Sequence, residues 1–141
     1  MTNEKTLLLV DDDAEDRLII EEVFAQLEMP AAISFAGNGE DALSMLATLE
    51  QTTLPSLIVL DQNMPRLTGT QVLRMLKADP LLQNIPVVML STSRNRTEEV
   101  ACAAAGAVGY LQKPTSFDEY LEIGKQLYSM AQESGNAVVG A

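Results

Sequence analysis

Four apolar stretches of this chain run into side chains that could do chemistry. "TLLLV" (6–10) leads into Asp11, Asp12 and Asp13, and "SLIVL" (56–60) into Asp61. "PVVML" (86–90) is followed by Ser91, Thr92 and Ser93, and "AVGYLQ" (107–112) by Lys113 and Pro114. Carboxylates gathered at close range repel and raise one another's pKa unless a cation intervenes. With oxygen ligands only, the natural cation is Mg2+, which takes one or two carboxylates plus waters and phosphate oxygens. A lysine and a hydroxyl beside such an ion are the parts of a phosphate clamp. The chain has no G-x-x-x-x-G-K-[ST] loop and no G-x-G-x-x-G turn after its first apolar run, so nothing cradles a nucleotide. A phosphoryl group would have to arrive on another donor. Asp61 is then a candidate nucleophile, since carboxylates form acyl phosphates.

The segments between these ends must bring them together. "AEDRLIIEEVFAQLE" (14–28) carries Leu18, Ile19, Val23, Phe24 and Leu27 at helical spacing. Asp13 is its N-cap, and Asp16 is an acid suited to a helix N-terminus. "AAISFA" (31–36) reads as a second strand and "NGEDALSMLATLE" (38–50) as a helix after a turn. "GTQVLRMLKAD" (69–79) is a helix that stops before Pro80. "TEEVACAAAG" (97–106) is a small-residue helix ended by Gly106, and "SFDEYLEIGKQLYSMAQ" (116–132) is the last helix. Met45, Met75, Met130 and Cys102 read as packing residues within these patterns. "ESGNAVVGA" (133–141) has no clear period. The expected organisation is one domain over 5–130 and a flexible C-terminal tail over 131–141.

This is β/α repeated five times. Continuous apolar strands separated by helices predict an α/β fold with a parallel sheet covered on both faces. Right-handed crossovers narrow it to a doubly wound five-stranded sheet with five helices. The ligand site of such a sheet lies beyond the carboxyl ends of its strands, and if strands 1, 3, 4 and 5 are placed side by side, their polar ends converge there.

Bulk composition excludes several functions. The formal charge is −11, from 9 basic and 20 acidic residues, which repels nucleic acid and anionic membranes. The absence of histidine rules out histidine general acid–base catalysis and histidine-ligated metal within the chain. The single cysteine allows no internal disulfide, which fits a cytoplasmic protein. No apolar run is long enough to span a bilayer, and the N-terminus is not a secretory signal.

Taken together, "LLLVDDD", "LIVLDQNMP", "PVVMLSTS" and "GYLQKP" resemble the signature blocks of two-component response regulator receiver domains. The resemblance spans about residues 5 to 130, with each block at the end of the expected strand, and it implies a flavodoxin-like sheet of order 2-1-3-4-5. The chain is similar to single-domain regulators of the phytochrome-associated type. The resemblance implies that Asp61 accepts a phosphoryl group from a histidine kinase or phosphotransfer protein. It implies that Asp12 and Asp61 ligate Mg2+, that Asn63 offers a backbone carbonyl to it, and that Asp11 acts on it through water. Ser91 and Lys113 would contact the phosphoryl group. Tyr110 would be the aromatic whose rotamer follows Ser91, and Pro114 would follow a cis peptide bond. The output would be a changed surface over the fourth helix, fifth strand and fifth helix, read by a downstream protein or by a second copy in a homodimer. Such a protein helps its own phosphorylation and dephosphorylation and is otherwise not an enzyme. Thr68 stands where many receivers have Asp before the glycine, with an expected effect on a turn or helix cap only.

Two other readings stand beside this one. An aspartyl-nucleophile phosphatase wants a second Asp two residues after the nucleophile, where this chain has Asn63. A receiver-like module could also bind its partner without phosphorylation.

Overall fold

The computed structural model describes the backbone of residues 5–29 and 31–140, and side chains over 6–29 and 32–133. Five strands, β1 (Lys5–Val10), β2 (Ala31–Ala36), β3 (Leu57–Asp61), β4 (Val87–Ser91) and β5 (Gly109–Gln112), form one sheet in the order β2-β1-β3-β4-β5. Every pairing is parallel. The crossovers are α1 (Ala14–Gln26), α2 (Gly39–Ala47), α3 (Gly69–Ala78) and α4 (Arg96–Ala104), with α5 (Phe117–Gly140) last. The doubly wound order expected from the sequence is the order found.

The strands read as unbroken apolar runs because both sheet faces are covered. Leu8, Val10, Ile58, Leu60, Val87 and Met89 point to one face, where they meet Leu46 of α2, Val72, Leu73 and Leu76 of α3, and Cys102 of α4. Their neighbours Leu7, Leu9, Leu57, Val59, Val88 and Leu90 point to the other, against Ile20, Val23 and Phe24 of α1 and Tyr120 and Leu127 of α5. This is the period of two that a strand imposes. No helix among the described residues is long and apolar enough to cross a membrane.

Helix starts follow the local chemistry. Asp13 caps α1 through the Glu15 N–H, and Asn38 caps α2 through the Asp41 N–H. Thr68 caps α3 in a reciprocal box with Gln71, so its departure from Asp is indeed a cap exchange. Gly106 after α4 takes φ +111, a left-handed position that glycine occupies without strain.

Three details differ from what the sequence pattern predicts. Leu18 is 63% exposed and Ile20 buried, because the inward stripe of α1 is 20, 23 and 24, with 18 on the opposite side. Met75 is 48% exposed rather than core, since the buried stripe of α3 runs through 72, 73 and 76 and leaves 75 at its solvent edge. The expected tail begins inside a helix: α5 keeps its backbone to Gly140, and Ala131 is buried one turn beyond Leu127. Side chains from 134 onward and all of residue 141 lie outside the described residues.

Candidate functional site

β1 and β3 pair with Val10 opposite Leu60, so the next residues, Asp11 and Asp61, stand side by side at the carboxyl edge. Both are buried, Asp11 fully. Carboxylate oxygens of Asp11, Asp12 and Asp61 all lie within 4.8 Å of one another, and Asp12 faces solvent. Backbone amides orient the buried pair. Asp11 Oδ1 accepts the Asp13 N–H at 2.9 Å, and Asp61 Oδ1 accepts the Asn63 N–H at 3.0 Å. Asp11 Oδ2 receives no hydrogen bond. Burial pushes the Asp11 carboxyl up to about 7, against the pull of the Asp13 amide, and the charge of Asp61 adds to the rise. Asp61 is raised by burial as well. An all-oxygen set with surplus negative charge and one undonated oxygen suits a hard divalent cation.

Lys113 enters from the neighbouring strand end. β4 and β5 pair with Ser91 opposite Gln112, and the Lys113 N–H donates to the Ser91 carbonyl at 2.6 Å. The Lys113 Nζ then lies 3.2 Å from Asp11 Oδ2, 3.4 Å from Asp61 Oδ2 and 2.7 Å from Asp16 Oδ2. Burial alone would lower the ammonium's pKa. The Asp16 hydrogen bond and the charges of Asp11 and Asp61 outweigh it and hold the group firmly protonated. Asp16 is held in turn by the Tyr120 hydroxyl, which donates to Oδ1 at 3.3 Å.

The end of β4 is tied to the loop after β3. Ser91 is fully buried, and its Oγ donates to Asn63 Oδ1 at 3.3 Å. The Thr92 N–H and hydroxyl donate to the same oxygen at 3.2 and 3.1 Å. Tyr110 points inward into the core under α4, with its hydroxyl donating to Glu98 Oε2 at 3.1 Å. Burial raises its pKa. Gly69, the first residue of α3, packs on this same loop. A Cβ there would sit 2.6 Å from the Asp61 carbonyl oxygen, so the start of α3 can lie this close to the acid only as glycine.

Asp11, Asp12, Asp61, Asn63, Ser91 and Lys113 therefore meet at one edge, and Tyr110 lies beneath them. The Lys113–Pro114 bond departs from expectation, because it is trans. Trans is the lower-energy form by about 0.5–1 kcal/mol. In that form Lys113 already reaches three carboxylates. Two features of the site are not evident from the sequence. Asp16 has the look of a helix-terminus acid, yet it shares the inward stripe of α1, four residues before Ile20 and seven before Val23. An acid at the end of such a stripe is the available signal. The bridge from the Asn63 side chain to Ser91 and Thr92 has no signal in the sequence pattern.

Comparison with known proteins agrees with this geometry. The chain matches the response regulator receiver domain family over residues 7–124. It is 31% identical to response regulator Rcp1 of Synechocystis over 131 residues, which cover 91% of this chain and 84% of Rcp1. The solved structure of the phosphorylated cyanobacterial phytochrome response regulator RcpA superposes with a TM-score of 0.78 at 31% identity, covering 87% of this chain and 90% of that one. The Mn2+-bound form of Rcp1 also gives 0.78, at 29% identity, covering 89% and 92%. The carboxylate cluster of this chain is consistent with a bound divalent metal. The chain belongs to the response regulator receiver domain family, and its function is phosphorylation-dependent signalling in a two-component system.

Proposed function

We infer that Asp61 is the phosphoryl acceptor of this chain and that the protein is a cytoplasmic switch driven by a phytochrome-type histidine kinase or its phosphotransfer protein. The observation that carries this is the meeting of one ammonium, Lys113, with a buried Asp61 inside a three-carboxylate cluster. A carboxylate oxygen of Asp61 attacks the phosphorus of a phosphohistidine. The new O–P bond forms as the P–N bond breaks, and its electron pair returns to the imidazole. Asp11, Asp12 and Asp61, with the Asn63 backbone carbonyl, would hold Mg2+. The ion would supply positive charge that offsets the crowded oxygens. Lys113 supplies a second, fixed positive charge at the strand edge, where electrostatic positioning is the main source of rate in phosphoryl transfer.

The phosphoryl group adds about −1.5 to −2 charge by analogy with other phosphorylated side chains. Ser91 then leaves Asn63 for a phosphoryl oxygen, and Tyr110, already turned in under α4, readjusts its packing and its hydroxyl contact with Glu98. The change reaches the α4–β5–α5 surface, where Val100 and Val108 are each 58% exposed and available to a target protein or a second copy. Position 63, an amide whose oxygen already accepts three hydrogen bonds, offers no carboxyl proton for the phosphatase alternative. The test is intact mass after incubation with acetyl phosphate and Mg2+. Wild type should gain one phosphoryl group, and should not gain it when the metal is chelated. Asp61→Asn should stay folded and gain none. An equal gain in Asp61→Asn would overturn the assignment.

A further inference from the structure

We propose that Asp16 is a positioning residue that competes with the phosphoryl group for Lys113, and so sets how readily the site switches on. This rests on the reading of Asp61 as acceptor. The ammonium has three N–H donors. Among its three carboxylate neighbours, only Asp16 makes a hydrogen bond with good geometry, at 2.7 Å. Asp11 and Asp61 stand farther off, at 3.2 and 3.4 Å, as ion-pair contacts. In the unphosphorylated site the lysine is therefore drawn toward α1, away from the acceptor.

Asp16 is not free to follow when Lys113 is pulled the other way. Its second oxygen is held by Tyr120 of α5. The two helices are locked close together: a Cβ on Gly124 of α5 would lie 2.5 Å from Val23 Cγ1 of α1. Asp16 and Val23 share one stripe of α1, and Tyr120, Gly124 and Leu127 share one stripe of α5. The contact that fixes Asp16 is thus continuous with the buried α1–α5 seam. A shift of Lys113 toward a phosphoryl oxygen on Asp61 works against the Asp16 bond, which holds the ammonium on the α1 side. A charge-assisted bond of this kind, only partly exposed to water, is among the stronger single contacts available to it.

The probe is beryllofluoride at saturating Mg2+, followed by 19F NMR, with Mg2+ affinity measured separately for each variant. Asp16→Asn keeps the shape and still accepts from Tyr120, but removes the charge. It should bind beryllofluoride about three- to tenfold more tightly than wild type. Tyr120→Phe, which loosens Asp16 while leaving its charge, should give a smaller gain in the same direction. In a Lys113→Met background, measured at higher ligand concentration, Asp16→Asn should have no effect, because the competition acts through the lysine. Weaker binding by Asp16→Asn would overturn the proposal, since Asp16 would then be orienting Lys113 for the phosphoryl group. So would unchanged binding. A gain that persists without Lys113 would also overturn it, as a field effect of one lost charge. Wild type failing to bind beryllofluoride in a manner dependent on Asp61 would instead sink the acceptor assignment itself, and this proposal with it.

Discussion

Two lysines at opposite edges of the sheet show how this fold separates its scaffold from its site. Lys77, in the last turn of α3, lies near the amino end of β4, and its Nζ donates to the carbonyls of Gln83 and Ile85 at 2.9 and 2.8 Å. Lys113 lies at the carboxyl end of β5 among three carboxylates. Burial disfavours the charge of both. At Lys77 only neutral dipoles answer it, and the pKa is lowered. At Lys113 three negative charges answer it, and the pKa is raised. Lys77 closes the loop that leads into β4. Lys113 balances a cluster whose surplus negative charge still calls for a cation. The difference comes from where a parallel sheet points its strand ends, not from the lysines themselves.

The sharpest way to break the contrast is to remove each ammonium. Lys113→Met should lower the rate of phosphorylation by acetyl phosphate on the order of 10²-fold, the scale seen when one charge-stabilising donor is lost. A rate within a factor of two of wild type would move Lys113 out of the site. Lys77→Met should leave that rate unchanged and cost about 1–3 kcal/mol in urea unfolding, as expected for losing charged hydrogen bonds to carbonyls. Any loss of phosphorylation in a folded Lys77→Met protein would blur the two roles.

A smaller effect separates the edges by pH. In the folded protein Asp11 sits near 7, and its ordinary value is 3.8. The native state therefore holds a proton that the unfolded chain has lost between these values. Stability from this group is fully present below about 4 and falls as pH rises through about 7. Metal-free protein should be about 1 kcal/mol less stable to urea at pH 8 than at pH 6. Millimolar Mg2+ should erase most of that difference. A metal-free protein that gains stability over this range would contradict the buried-acid account. Smallest of all, Thr68→Ala should cost about 1 kcal/mol through the lost α3 cap. Thermal unfolding would read it, with phosphorylation by acetyl phosphate unaltered.

The carboxyl edge is legible in the sequence because strand ends are marked twice. The apolar run stops, and a polar or charged side chain begins. Asp11, Asp61, Ser91 and Lys113 each sit at such a boundary, and the β/α alternation then dictates that they meet. What is not legible depends on side-chain direction. Asp16 sits three residues after an N-cap, where acids are common for reasons of helix capping and dipole. Only the observed stripe of α1 turns it toward Lys113. The Asn63 amide could have faced solvent, and it is the spacing between the β3 and β4 loops that brings it to Thr92. Leu18 and Met75 are apolar residues just off a buried stripe, which a count of apolar positions cannot distinguish from residues on it. The continuation of α5 past Ala131 is hidden by Ser, Gly and Asn, whose low helix propensity is a weak guide beside tertiary context.

If Asp61 is the acceptor, it and none of its carboxylate neighbours takes the phosphoryl group. Borohydride reduces an aspartyl phosphate to homoserine, which survives proteolysis and can be placed by fragment mass spectrometry. After treatment with acetyl phosphate and Mg2+, homoserine is expected at position 61 and nowhere else. Homoserine at 11, 12 or 16, with Asp61 intact, would contradict it.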